Sequence, residues 1–223
     1  MPDEYARRLV KFVDAAERLQ HLPATMPEGP ASLLPVRVTG EPWKAPAEGV
    51  AGARPAAVLV LLAPDANADA RVVLIQRTSY DGHHSGEISF PGGAAEAGDG
   101  SLVETAIREA REEIGLDPLA LGLRVVGELP PFWIPLSNFR VTPVIALADR
   151  LPEAWQPDPR EVARVIEAPV AAFLPDAEIT VMERDVREWR IRYGAYALPE
   201  LGDGPQVWGA TARFLGQLGA LLG

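Results

Sequence analysis

The chain has 223 residues, a net charge of −10 and no cysteine. A chain of that length most simply makes one sizeable domain that buries roughly 70% of its unfolded surface, so disulfide staples are not required. The acidic balance excludes non-specific nucleic-acid binding, which needs a basic footprint, and no apolar run approaches the ~20 residues of a membrane span. The charged start MPDEYARRLV carries no apolar leader, and a chain without cysteine suits a reducing compartment. The expected location is therefore cytoplasmic.

Residues 4–21 predict an amphipathic helix with Tyr5, Leu9, Phe12, Val13 and Ala16 on one face. From Pro23 to Pro55 prolines alternate with Gly, Ala and isolated apolar residues, which predicts an irregular arm packed across the domain. Trp43 and the pair Leu33-Leu34 are its expected anchors. Residues 1–55 are thus read as a helix and Pro-rich arm, and 56–223 as the domain proper. Ala56 to Leu62 (AAVLVLL) is a continuous apolar run of the kind found in fully buried strands. A polar loop then leads into a second strand, Arg71–Arg77. Further strands are expected at Leu123–Leu129 and Phe139–Ala148. Arg164–Leu174 should begin as a strand and turn into a short helix after Pro169. Ile179–Tyr193 reads as a hairpin with Trp189, Ile191 and Tyr193 on one face, and Val207–Leu222 as a closing helix. Strands on both sides of a central helix imply an α/β fold, a mixed sheet sandwiched between helices.

The central helix lies in SFPGGAAEAGDGSLVETAIREAREEIGL, Ser89 to Leu116. Ser101 and Glu104 form a capping box at its start, and Gly115 supplies its stop. Val103, Ala106, Ile107, Ala110 and Ile114 make one apolar stripe. Glu109, Glu112 and Glu113 gather on an adjoining face, where three carboxylates repel one another. A hard divalent cation removes that repulsion, because Mg²⁺ and Mn²⁺ favour carboxylate oxygens. Glu109 and Glu113, one turn apart, can reach one ion, and Glu112 between them can bind a second or orient water.

Gly93, Asp99 and the run Arg108-Glu109-Ala110-Arg111-Glu112-Glu113-Ile114-Gly115-Leu116 resemble the Nudix box, whose core is R-E-x-x-E-E-x-G followed by an apolar residue. Asp99 stands where the general pattern has Glu, one residue farther from Arg108. Arg77-Thr78, then His84-x-Gly86-Glu87-Ile88-x-Phe90-Pro91-Gly92-Gly93, together with Ser137–Val144, Glu161-Val162 and Trp208-Gly209-x-Thr211-Ala212, is similar to the coenzyme A pyrophosphatase branch of that family. Asp81-Gly82 departs from it, since the branch has Leu-Arg there. The resemblance implies a Nudix-type α/β/α sandwich and a pyrophosphatase dependent on Mg²⁺ or Mn²⁺. Glu109, Glu113 and Glu112 are then the metal ligands, with a carbonyl from Gly93. Arg108 is expected to hold Glu112, the first choice as general base; Glu161 and Glu87 are the others. Arg77, His84 and Glu87 are candidate substrate contacts, Arg77 as a phosphate clamp. His83 and His21 are read as structural.

The expected reaction is hydrolysis of coenzyme A, or a derivative, to 3′,5′-ADP and 4′-phosphopantetheine. Pro130-Pro131 keeps ADP-ribose, or another nucleoside diphosphate derivative, open as an alternative substrate. A nucleotide sensor without hydrolysis would be expected to have lost some of the three carboxylates. The partner is a small nucleotide, neither nucleic acid nor membrane, and the arm leaves a homodimer open.

Overall fold

A computed structural model describes residues 9–39, 51–78, 86–134, 137–186, 189–198 and 206–223. Tyr5, Trp43, Asp81, Gly82, His83 and His84 lie outside these residues, as does the side chain of Trp189.

Two long strands carry the fold. β2 (Arg54–Pro64) and β8 (Phe139–Leu147) run parallel, with Ala57 opposite Thr142 and Leu62 opposite Leu147. Val60, Leu61 and Leu62 are completely buried, so both faces of β2 are covered. That is why its sequence reads as an unbroken apolar run rather than an alternation. Each such side chain contributes about 1.5–3 kcal/mol of transfer free energy. β3 (Ala70–Arg77) pairs with the second half of β2, and β5 (Gly92–Ala94) with the first half. β9 (Val162–Pro169) and β4 (Ile88–Ser89) flank β3, while β6 (Arg124–Glu128) and β7 (Phe132–Ile134) pair with β8. All these pairings except β2–β8 are antiparallel, which makes the expected mixed sheet.

One face of the sheet takes α2 (Leu102–Ile114), whose Ala106, Ala110 and Ile114 pack on Ala57, Leu59, Leu61, Val144 and Ala146. The other face takes α1 (Phe12–Leu19) and α3 (Gly209–Leu222), with Leu19, Leu215 and Leu218 against Val60, Leu62, Leu74 and Ile145. The result is an α/β/α sandwich. Among the described residues no helix is long and apolar enough to cross a membrane.

Three elements depart from expectation. Among the described residues the first helix begins at Phe12, because Val10 to Phe12 are drawn into backbone bonds with Ala68 and Ala70 and a bridge to Asp69. Its buried face is Ala15, Ala16 and Leu19, while Leu9 and Val13 are exposed. In the arm, Leu33 is buried within a 3-10 turn (Ala31–Leu33) but Leu34 is exposed. The arm then adds a short strand, β1 (Val36–Arg37), to the expected hairpin of β10 (Thr180–Val186) and β11 (Trp189–Ala195). These three strands form a separate sheet, since local alternation does not say which sheet a hairpin joins.

Candidate active site

The acidic helix starts from an extended Ser101, whose Oγ accepts the Glu104 amide at 3.2 Å. The reciprocal bond of a capping box runs one residue earlier than expected, from the Gly100 amide to the Glu104 carboxylate at 2.9 Å. Gly115 closes the other end in the left-handed conformation, φ +68°.

The three carboxylates do not share one environment. Glu113 follows Ala106 by two turns and lies about 20° from it on the helix. It is therefore carried under the helix, and its side chain is 3% exposed. Glu109 is half-way round and 16% exposed, whereas Glu112 stands in solvent at 62%. Glu113 Oε2 accepts the Gly92 amide at 2.7 Å, and Oε1 lies 3.4 Å from Arg77 Nη1. Burial pushes the Glu113 carboxyl up to about 7, with Glu109 and Glu161 adding repulsion and the Gly92 amide and Arg77 opposing. Burial likewise raises Glu109, against the pull of Arg108.

Strand β5 brings its backbone to these groups. Gly92 has φ +150°, and a Cβ there would meet the Ala57 carbonyl oxygen at 2.3 Å. A Cβ on Gly93 would meet the Glu109 carboxylate oxygens at 2.6 and 2.7 Å. Glycine at 92 lets β5 lie close against β2, and glycine at 93 lets it lie close against the helix, which sets backbone beside carboxylate.

Arg108 ties the approach loop to the helix. It forms a fork onto Asp99, 3.0 Å from Nε to Oδ1 and 3.1 Å from Nη2 to Oδ2, and Nη2 also donates to the Ala94 carbonyl at 3.0 Å. Its Nη1 lies 3.0 Å from Glu109 and 3.3 Å from Glu112. Holding Glu112 is thus one of several tasks, and Asp99 is the main partner. Asp99 also accepts the Thr105 hydroxyl and the Glu96 amide, and with Arg108 they hold its carboxyl well below the usual range. Asp99 belongs to the box resemblance, but a carboxylate nine residues before an arginine has no local periodicity that pairs the two, and nothing in the spacing joins Thr105 to them.

Arg77 sits at the end of β3, just past a bulge where Gln76 pairs with Arg164 and Arg77 with Val162. The extra residue re-aims the strand end. The Arg77 guanidinium lies between Glu113 and Glu161, the latter at 3.9 Å. Glu87 is bound to this strand through its backbone, its carbonyl accepting the Arg77 amide at 3.0 Å. Its carboxylate lies 3.5 Å from Arg184 on β10. Arg77, Glu109, Glu113, Glu161 and Gly93 therefore come together, Arg108 and Glu112 border them, and the Glu87 side chain has an ion pair with the small sheet.

Among the described residues, no three acidic or histidine side chains converge as a finished ligand cluster. Glu109 and Glu113, the pair expected to reach one ion, are the two that the helix turns inward, while Glu112, expected to bind a second ion or orient water, is turned outward. The donor chemistry nevertheless fits a hard divalent cation: all the candidate donors are oxygens, and burial with mutual repulsion makes the charged forms of Glu109 and Glu113 costly.

The NUDIX domain family model matches residues 53–189. The mitochondrial Nudix hydrolase 15 of Arabidopsis thaliana is 42% identical over 164 residues, covering 72% of this chain and 55% of the plant protein. The chloroplastic Nudix hydrolase 22 of the same plant is 41% identical, with 52% of its length covered, so the chain spans about half of these plant relatives. The Nudix hydrolase NudL of Salmonella paratyphi B, itself uncharacterized, is 34% identical over 158 residues, covering 68% of this chain and 75% of that one. Among solved structures, the Nudix hydrolase RenU of M. smegmatis is 26% identical over 61% of this chain and 79% of its own, with a TM-score of 0.46. With the box residues gathered on α2 and β5, the family model over residues 53–189 and the Salmonella relative show that the chain belongs to the Nudix hydrolase family.

Proposed function

We propose that the protein is a divalent-metal-dependent pyrophosphatase that cleaves coenzyme A, or a derivative of it, into 3′,5′-ADP and 4′-phosphopantetheine. The observation that carries the reading is the buried Glu113, bonded to the Gly92 amide with Glu109 beside Gly93. Nudix hydrolases generally use divalent metal ions. Glu109, Glu113 and Glu112, with the Gly93 carbonyl, are the groups that would hold Mg²⁺ or Mn²⁺. When bound, the ion supplies charge neutralisation on the pyrophosphate and a more acidic water.

The chain's own residues supply the rest. Glu112, open to solvent and 3.3 Å from Arg108, takes the proton of the attacking water. Glu161 is the alternative acceptor across Arg77, and Glu87 a third. Arg77, 24% exposed, presents its guanidinium to a substrate phosphate, which an acidic protein otherwise repels. His84 and Glu87 are assigned to substrate on the strength of the signature they belong to. That signature also supports coenzyme A over other diphosphates. Residues 1–55 are read as an extension of the Nudix domain at 56–223. The absence of cysteine supports a cytoplasmic protein.

Pro130-Pro131, following the box, favours ADP-ribose as the second reading. Incubation with Mg²⁺ or Mn²⁺ and a panel of coenzyme A, its thioesters, ADP-ribose and NADH tests the choice. Coenzyme A or a thioester should be cleaved fastest; faster cleavage of ADP-ribose overturns it. Glu113→Gln should keep the fold and lower turnover by more than the roughly 10–100-fold that follows loss of a ligand's neighbour. Retained turnover in that variant would sink the mechanism.

A further inference from the structure

Where β3 ends, Thr78 holds two consecutive carbonyls of one turn. Its amide donates to the Glu161 carbonyl at 2.9 Å, and its hydroxyl donates to the Arg160 carbonyl, also at 2.9 Å. Its own carbonyl accepts the Gly86 amide at 3.2 Å, two residues before β4 begins.

The far side of the same turn hangs from α2. The Asp158 amide donates to the Glu113 carbonyl at 3.0 Å. The Asp158 carbonyl accepts the Glu161 and Val162 amides at 3.0 and 2.8 Å, and its carboxylate accepts the Arg160 amide at 2.9 Å. Residues 158–162 are thus closed by their own bonds. What Thr78 adds is location: it fixes the closed turn against the end of β3, while Asp158 fixes it against the residue that carries the most buried carboxylate. Glu161 emerges from that turn with its carboxylate 3.9 Å from Arg77, whose other amino group lies 3.4 Å from Glu113. Repulsion from Glu161 reaches both Glu109 and Glu113.

We propose that Thr78 is a positioning residue: its hydroxyl and amide hold Glu161 across Arg77 from Glu109 and Glu113, so that Glu161 serves as the fourth carboxylate of the site. This rests on the reading of the box glutamates as the catalytic centre. A threonine suits the place because its β-branched side chain is stiff at χ1 and its hydroxyl can donate to the neighbouring turn.

The test uses Thr78→Val, Thr78→Ser, Glu161→Gln and the double variant, on whichever substrate of the panel the wild type cleaves. Thr78→Val removes only the hydroxyl bond, so kcat should fall about tenfold with KM nearly unchanged, and Thr78→Ser should restore it. Glu161→Gln should lower kcat by on the order of a hundredfold or more. If Thr78 acts through Glu161, adding Thr78→Val to Glu161→Gln costs nothing further; additive losses overturn the proposal. Hydrogen exchange supplies a readout without turnover: the amides that dock the turn, that of residue 78 on the Glu161 carbonyl and that of Asp158 on the Glu113 carbonyl, should exchange faster in Thr78→Val and not in Thr78→Ser. Unchanged exchange in Thr78→Val also overturns it. A wild type inactive on the whole panel refutes the pyrophosphatase reading, whereas an active wild type with unaffected Glu161→Gln refutes this one.

Discussion

At the scale of single residues, Glu113 is where the sandwich bears an electrostatic cost. It is anchored by one amide and one loosely placed guanidinium, and burial lifts its carboxyl from the ordinary 4.5 to about 7. Between those two values the folded protein binds more protons than the unfolded chain, so this group's contribution to stability falls as pH rises across the window. Protein treated with a chelator should therefore lose thermal stability from roughly pH 4.5 to about 7. Glu113→Gln should flatten that slope, and so should added Mg²⁺ or Mn²⁺, which stabilises the charged form. A slope identical in wild type and variant would show that Glu113 is not its source. Asp99 works in the opposite sense: its carboxyl is held low, so its contribution is present at neutral pH and lost in acid.

At the scale of elements, the site is a contact between one strand and one helix. Its two glycines have different tasks, and substitution separates them. Alanine at Gly92 sets a Cβ 2.3 Å from the Ala57 carbonyl and 2.5 Å from Val58 Cα, both backbone atoms in the centre of the sheet that cannot yield. Gly92→Ala should lower the melting temperature sharply and take activity with it. The three atoms nearest an alanine Cβ at Gly93 all belong to the carboxylate end of Glu109, which can rotate. Gly93→Ala should leave the melting temperature close to wild type and lower kcat on the order of a hundredfold, the usual effect of moving a catalytic group by about 1 Å. Thermal denaturation and kinetics on both variants check the pair; equal losses of stability would show the distinction to be false.

At the scale of the whole molecule, residues 9–39 of the N-terminal segment contribute to the core. Leu19 and Leu33 are buried with α3. Arg18 donates to the carbonyls of Leu222 and Gly223, which cap the end of that helix. Leu33 Cδ1 lies 2.7 Å from where a Cβ on Gly216 would stand, and β1 follows immediately to pair with β11. Leu33→Ala should cost about 2–5 kcal/mol, as other buried leucine truncations do, although the residue is remote from every carboxylate of the site. Chemical denaturation measures it, and a cost below about 1 kcal/mol would mean that the arm rests on the surface. The site needs this support because β2, which carries the partners of Gly92 and Gly93, is packed from both sides.

Much of this was legible in the sequence, and the reasons are local. The continuous apolar run of β2, the capped and striped α2, the passage of β9 into a 3-10 helix at Val170–Phe173 and the final helix are each set by neighbours within a few positions. So is the grouping of Glu109, Glu112 and Glu113, which helical spacing dictates. Other features join positions far apart in the chain. Helical spacing grouped the three glutamates but left open how differently each would be exposed; packing of α2 on the sheet sent Glu113 inward and left Glu112 in solvent. The fork from Arg108 to Asp99, the placement of Arg77 between Glu113 and Glu161, the hold of Thr78 on the turn at residues 158–162, and the second sheet built from β1, β10 and β11 all depend on which surfaces meet. A chain states its periodicities by itself; which buried face a carboxylate is turned to is settled only when helix and sheet exclude water together.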